Sequence, residues 1–121
     1  MKRYDLEDRL IAFAVSCIEI VNHIDQNKAG FHLSDQLMRS GTSAALNYGE
    51  SQSGESRKDF IHKMKVVLKE LRESQVCLKI ISRARLFQPE SRLDEMLKEA
   101  SELVAIFVKS VSTAQIRQQT I

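Results

Sequence analysis

The chain has 121 residues, 43% of them hydrophobic and 28% charged, with a net charge of +2. That is enough for one hydrophobic core but not two, in a composition typical of ordered globular proteins. One Pro and four Gly leave too little turn punctuation for an all-β fold, and no run approaches the ~20 apolar residues of a membrane span.

The spacing of Cys17 and Cys77 fits neither a disulfide framework nor a zinc site, so buried, reduced thiols are expected. An apolar run, Leu10 to Ile18, follows Lys2 and Arg3, but Asp5, Glu7 and Asp8 intervene and no small-residue cleavage site follows closely. No signal peptide and a cytoplasmic location are therefore expected.

A first helix is predicted over about 5–26, with Leu6, Leu10, Phe13, Ala14, Cys17, Ile18, Val21 and Ile24 on one buried face. Asn27, Lys28 and Gly30 are expected to end it. The second helix is predicted over about 34–50. Leu37, Gly41, Ala44 and Tyr48 form its core stripe, and Met38, Thr42, Ala45, Leu46 and Gly49 a second stripe about 120° away. Two apolar faces suggest contact beyond the domain, most simply with another copy of the chain. The third face is polar: Ser40, Ser43, Asn47 and Glu50. Those four residues are candidates for a ligand site or a subunit contact. The plainer expectation is that Asn47 and Glu50 satisfy the broken end of this helix and cap the next.

A break over Gln52 to Glu55 precedes a third helix over about 56–84, with Ser56 and Asp59 as its cap and Phe60, Ile61, Met64, Val67, Leu68, Leu71, Leu78 and Ile81 on its core face. Phe87, Gln88 and Pro89 make the last turn. The fourth helix, about 90–114, buries Leu93, Met96, Leu97, Ala100, Leu103, Val104, Phe107 and Val111, and Gln115 to Ile121 is expected to fray. Four amphipathic helices with short connections predict a single domain over residues 1–121, an all-α antiparallel up-down four-helix bundle.

The positive charge is concentrated in one segment. Residues 55–85 hold nine Lys/Arg against four Asp/Glu, and the segments on either side are slightly acidic. Lys58, Lys65, Lys69, Arg72, Lys79 and Arg83 stack into one stripe along the third helix, about 100° from its core face. Such a row suits a phosphate backbone, and the absence of interleaved aromatic residues argues against base stacking. The competing expectation is a solvated face paired with Glu70, Glu73 or acids of the fourth helix. No Glu-x-x-His pairs of a di-iron bundle are present, and neither is a nucleophile motif or a phosphate-cradling loop. His23, His32 and His62 read as surface groups, with His32 in a loop. No enzyme activity, metal or cofactor is expected.

Arg39-Ser40-Gly41, Asn47-x-x-Glu50, Lys58-Asp59-Phe60 and Lys69-Glu70-Leu71-x-Glu73 occur in order between Gln36 and Ser74. With these motifs the chain closely resembles, over nearly its whole length, the bacterial four helix bundle protein family, also called the 23S rRNA-intervening-sequence protein family. The resemblance implies an up-down bundle assembling as a homopentamer. It also implies kinship with accessory proteins of diversity-generating retroelements, whose basic pentamers bind nucleic acid and a reverse transcriptase. The expected function is therefore a non-enzymatic, homo-oligomeric scaffold binding RNA or DNA backbone through the six cations. The alternative is an adaptor that docks a nucleic-acid-processing protein such as a polymerase.

Overall fold

The structure, a computed structural model, describes residues 3–53 and 56–119, with side chains from Asp5 onward. Its elements are α1 (Arg3–His23), α2 (Lys28–Gln52), α3 (Arg57–Arg83) and α4 (Glu90–Gln119), with no strand among the described residues. The fold is an all-α four-helix bundle. Gly54 and Glu55 of the expected break, and the last two residues of the expected frayed tail, lie outside the described residues.

The first connection differs from expectation. α1 stops at His23, and α2 starts at Lys28, well before Ser34. Asn27 starts the second helix: its side-chain oxygen accepts a hydrogen bond from the Gly30 amide at 2.8 Å. Gly30 serves close approach here. A Cβ at that position would lie 1.8 Å from the Asp25 carbonyl oxygen, so the incoming chain can fold back only over a residue without a side chain. His32 therefore lies on α2 rather than in a loop, and it is exposed, as are His23 and His62.

The start of α3 is as expected, with the Ser56 hydroxyl accepting from the Asp59 amide at 3.1 Å. The same helix ends in a Schellman motif. Arg85 takes a left-handed φ of 56°, its amide reaches the Ser82 carbonyl, and the Leu86 amide reaches that of Ile81. Leu86 is buried, and its carbonyl accepts from the Asp25 amide at 2.9 Å, which ties the first connection to the third. α4 begins at Glu90, one residue after Pro89, and continues to Gln119 because Ala114 extends the buried Phe107–Val111 stripe.

Consecutive helices pack side by side, α1 and α4 approach less closely, and long polar side chains bridge those two. Arg9 holds Glu99 and Glu102, and Arg92 holds Glu19 and the Ser16 hydroxyl. The core follows the predicted stripes with one correction on α1. Ile20 is fully buried and Ile18 is 36% exposed, because the three- and four-residue steps Leu10, Phe13, Cys17, Ile20, Ile24 leave Ile18 off the inner face. Ile11, Val15 and Ile18 then form an apolar row on the outer side of α1.

Gly41 sets the spacing of α1 and α2. A Cβ there would lie 2.6 Å from the Cys17 sulfur and 3.0 Å from its Cβ, and Cys17 is fully buried with no room to swing away. Gly41→Ala is expected to destabilise the protein by about 1–3 kcal/mol in urea unfolding, despite the better helix propensity of Ala. In the Cys17→Ala background the same change should cost measurably less, a coupling that a double-mutant cycle reads directly.

Burial pushes the Cys17 thiol up to about 12 from an ordinary 9.0, and the neighbouring Cys77 adds to the shift. The unfolded chain loses this proton near 9 and the folded chain holds it to about 12. Across that window the unfolded state binds fewer protons, so stability should fall as pH rises. Unfolding midpoints measured from pH 8 to 11 should show the fall, and Cys17→Ala should flatten it.

Candidate nucleic-acid interface

Lys58, Lys65, Lys69, Arg72, Lys79 and Arg83 are all exposed on the outer face of α3. From first to last they cover about 37 Å of helix at 1.5 Å per residue. Among the described residues, none of the six is in an ion pair. The acids expected to neutralise them are engaged elsewhere. Glu70 and Glu73 both turn toward α2 and hold Arg39, at 3.0 Å for Glu70. Glu73, and then Glu70, hold the Arg39 guanidinium still further toward its charged form. Lys63, on a neighbouring face of α3, pairs with Glu50 at 3.5 Å.

Two shallow clefts border the row. Lys69 and Arg72 edge an open groove of about 540 Å³ between α2 and α3, with Val76 and Cys77 among its lining. Lys58 and Lys65 edge a smaller one of about 250 Å³ against Gln115 and Gln118 of α4. Val76 is 53% exposed and Ile80 45% exposed beside the cations, a feature the sequence reading missed. Their positions on the polar side of the α3 helical pattern were the available signal. The face thus offers positive charge and aliphatic side chains, and nothing on which a base would stack well.

The second candidate group does not converge. Ser40 is fully buried and faces α3, where its hydroxyl lies 2.7 Å from that of Ser74. Each hydroxyl also reaches a carbonyl of its own helix, Ser74 that of Glu70 at 3.0 Å and Ser40 that of Leu37 at 3.5 Å, and either can donate to the other. Asn47 folds onto its own helix, its amide donating to the Ser43 carbonyl and the Ser43 hydroxyl, each at 2.9 Å. Glu50 points outward to Lys63. Asn47 and Glu50 therefore do not cap α3 as expected. Ser56 takes that role, because its backbone sits extended at the N-cap position where a short hydroxyl reaches the first turn. The second apolar stripe of α2 is covered in part, with Ala45 packed against the core, Met38 38% and Leu46 67% exposed, and Gly49 facing open space.

Among the described residues, no three His, Cys, Asp or Glu side chains gather as a metal ion would require, and no helix is long and apolar enough to cross a membrane.

The Arg39 contact is testable on its own. Glu70 is 4% exposed, so removing its partner strands a desolvated carboxylate. Arg39→Met should lower the melting temperature more than Glu70→Met/Arg39→Met, where the shape is kept and no buried charge remains.

With the fold and this face described, the chain can be compared with known proteins. The family model for the 23S rRNA-intervening sequence protein matches residues 3–109. A crystal structure of a protein with unknown function from the S23 ribosomal protein family of Bacteroides thetaiotaomicron VPI-5482 superposes with a TM-score of 0.82 at 27% identity. That match covers 93% of this chain and 99% of the other. A comparison with curated proteins returns no significant match. The family match spans nearly all of the helical chain, from the start of α1 well into α4, and the protein belongs to the 23S rRNA-intervening sequence protein family.

Proposed function

We propose that the protein is a non-enzymatic helical scaffold that self-associates and binds RNA or DNA backbone through Lys58, Lys65, Lys69, Arg72, Lys79 and Arg83. One observation carries this reading: among the described residues all six side chains are exposed and in no ion pair, and they lie in one row along α3. The two acids nearest the row, Glu70 and Glu73, are held by Arg39 of α2.

Two finer points belong to the same proposal. An antiparallel up-down arrangement is supported by residue order across the helix pairs. Numbers rise along one helix as they fall along its neighbour, from Ser40 with Ser74 to Glu50 with Lys63, and again from Arg9 with Glu99 to Glu19 with Arg92. Self-association is supported by the uncovered Met38 and Leu46, and the family resemblance makes a pentamer the expected assembly. A competing reading, a protein-docking adaptor, draws support from Val76 and Ile80, whose exposure suits an apolar partner surface.

Titrating labelled duplex DNA and structured RNA across a salt series decides between them. Contact with up to six phosphates gives a log–log slope of about −5 on duplex DNA. Lys65→Glu, Lys69→Glu, Arg72→Glu and Lys79→Glu together should flatten the slope by about 3 to 4 and leave the sedimentation mass unchanged. Absence of binding by the native protein at low salt would transfer the face to the adaptor reading.

A further inference from the structure

At the end of the bundle where α3 begins, all four helices border one open cavity of about 440 Å³. Tyr48 and Met64 are buried in its lining and Phe60 is half-buried, so part of its wall is flat and apolar. Exposed Arg57 on α3 and exposed Lys109 and Arg117 on α4 line it as well, with Thr113 one helical turn beyond Lys109. Neither Arg57 nor Lys109 is in an ion pair among the described residues, and no carboxylate among them lines the space.

We propose that this cavity binds a nucleoside 5′-phosphate, with the phosphate held by Arg57 and Lys109 and the base against Phe60 and Met64. The volume lies in the range that small-molecule sites occupy. Arg57 and Lys109, with no lining carboxylate among the described residues, make a positive mouth, and the N-terminus of α3 adds its own partial positive charge there. A terminal phosphate monoester carries nearly two charges at neutral pH and suits that mouth better than a carboxylate or an internal phosphodiester, each with one. A ring and a thioether on the wall suit a planar heterocycle.

A free mononucleotide and the phosphorylated end of a strand share this chemistry. The strand-end source rests on the nucleic-acid reading above: Lys58, the first cation of the row, directly follows Arg57, so a strand lying along α3 reaches the cavity with its end. The free-nucleotide source is independent of that reading.

The test is calorimetry on the full chain with adenosine 5′-monophosphate, adenosine and inorganic phosphate. It is joined by anisotropy with one oligonucleotide carrying either a 5′-phosphate or a 5′-hydroxyl. The nucleotide should bind saturably, one per chain, with adenosine and phosphate each weaker by about tenfold or more. Arg57→Ala and Lys109→Ala, both at exposed positions, should each weaken it about tenfold, and Lys98→Ala, at an exposed position of α4 outside both the cavity and the row, should leave it unchanged. A preference for the phosphorylated oligonucleotide that Lys109→Ala abolishes assigns strand ends, and nucleotide binding without that preference assigns the free nucleotide.

Equal, weak responses to all three small probes overturn the site, as does a nucleotide affinity unmoved by both variants. If salt-dependent duplex binding persists in that case, only this inference has failed. Nucleotide binding that stands when long nucleic acid does not bind at low salt keeps the cavity and removes the row on α3.

Discussion

Three consecutive residues of α2 hold the bundle from both sides. Gly41 lets α1 approach until the Cys17 sulfur fills the space a side chain would take. Ser40, one residue earlier and about 100° round the helix, buries its hydroxyl against Ser74 of α3. Arg39, a further 100° round, reaches over that hydrogen bond to Glu70 and Glu73. Close approach on one side and a buried polar contact on the other fix α2 in both rotation and height. An aliphatic stripe alone would tolerate a slip of one helical turn, but an unmatched hydroxyl or carboxylate in this interface would cost roughly 1–3 kcal/mol.

The same anchor has an electrostatic consequence on the far side of α3. Glu70 and Glu73 lie within four residues of Lys69 and Arg72, and on an isolated helix Glu73 would pair with Lys69 four residues before it. In the bundle both carboxylates are drawn to Arg39, with Glu70 almost wholly removed from solvent. The cations are left without local counter-charges. The packing of the core and the charge of the surface are thus one arrangement, and a change at Arg39 alters both.

The helices and most of their buried faces were legible because the apolar residues repeat at three- and four-residue steps, which needs no tertiary knowledge. Ile18 and Ile20 show the limit of that reading. Both are β-branched and apolar, and only the exact phase of α1 against α2 decides which turns inward. The start of α2 was misplaced for a similar reason: Asn27 and Gly30 read equally well as the end of one helix or the start of another. What decides is a backbone approach to Asp25, a contact across the connection that no local pattern encodes. On the outer face of α3 the positions of the cations were legible but their partners were not, because Arg39 competes for the acids from 31 residues or more away in sequence. Asn47 and Glu50 were misjudged because capping was inferred from proximity to a break, and the backbone geometry at Ser56 makes that residue the cap.

Net charge is a poor guide to what this surface can attract. A chain at +2 is nearly neutral, and its acids are concentrated in α1 and α4. At physiological salt the field of an exposed charge decays over about 8 Å, close to the spacing between adjacent packed helices. A polyanion lying along the outer side of α3 would therefore feel six unneutralised cations and little of the acidic helices behind them. A smooth row of this kind, with aliphatic neighbours such as Val76 and Ile80 in place of rings, discriminates charge density and not sequence. Any selectivity has to come from elsewhere in the molecule, from the geometry of several copies or from a cavity that distinguishes the end of a strand from its middle.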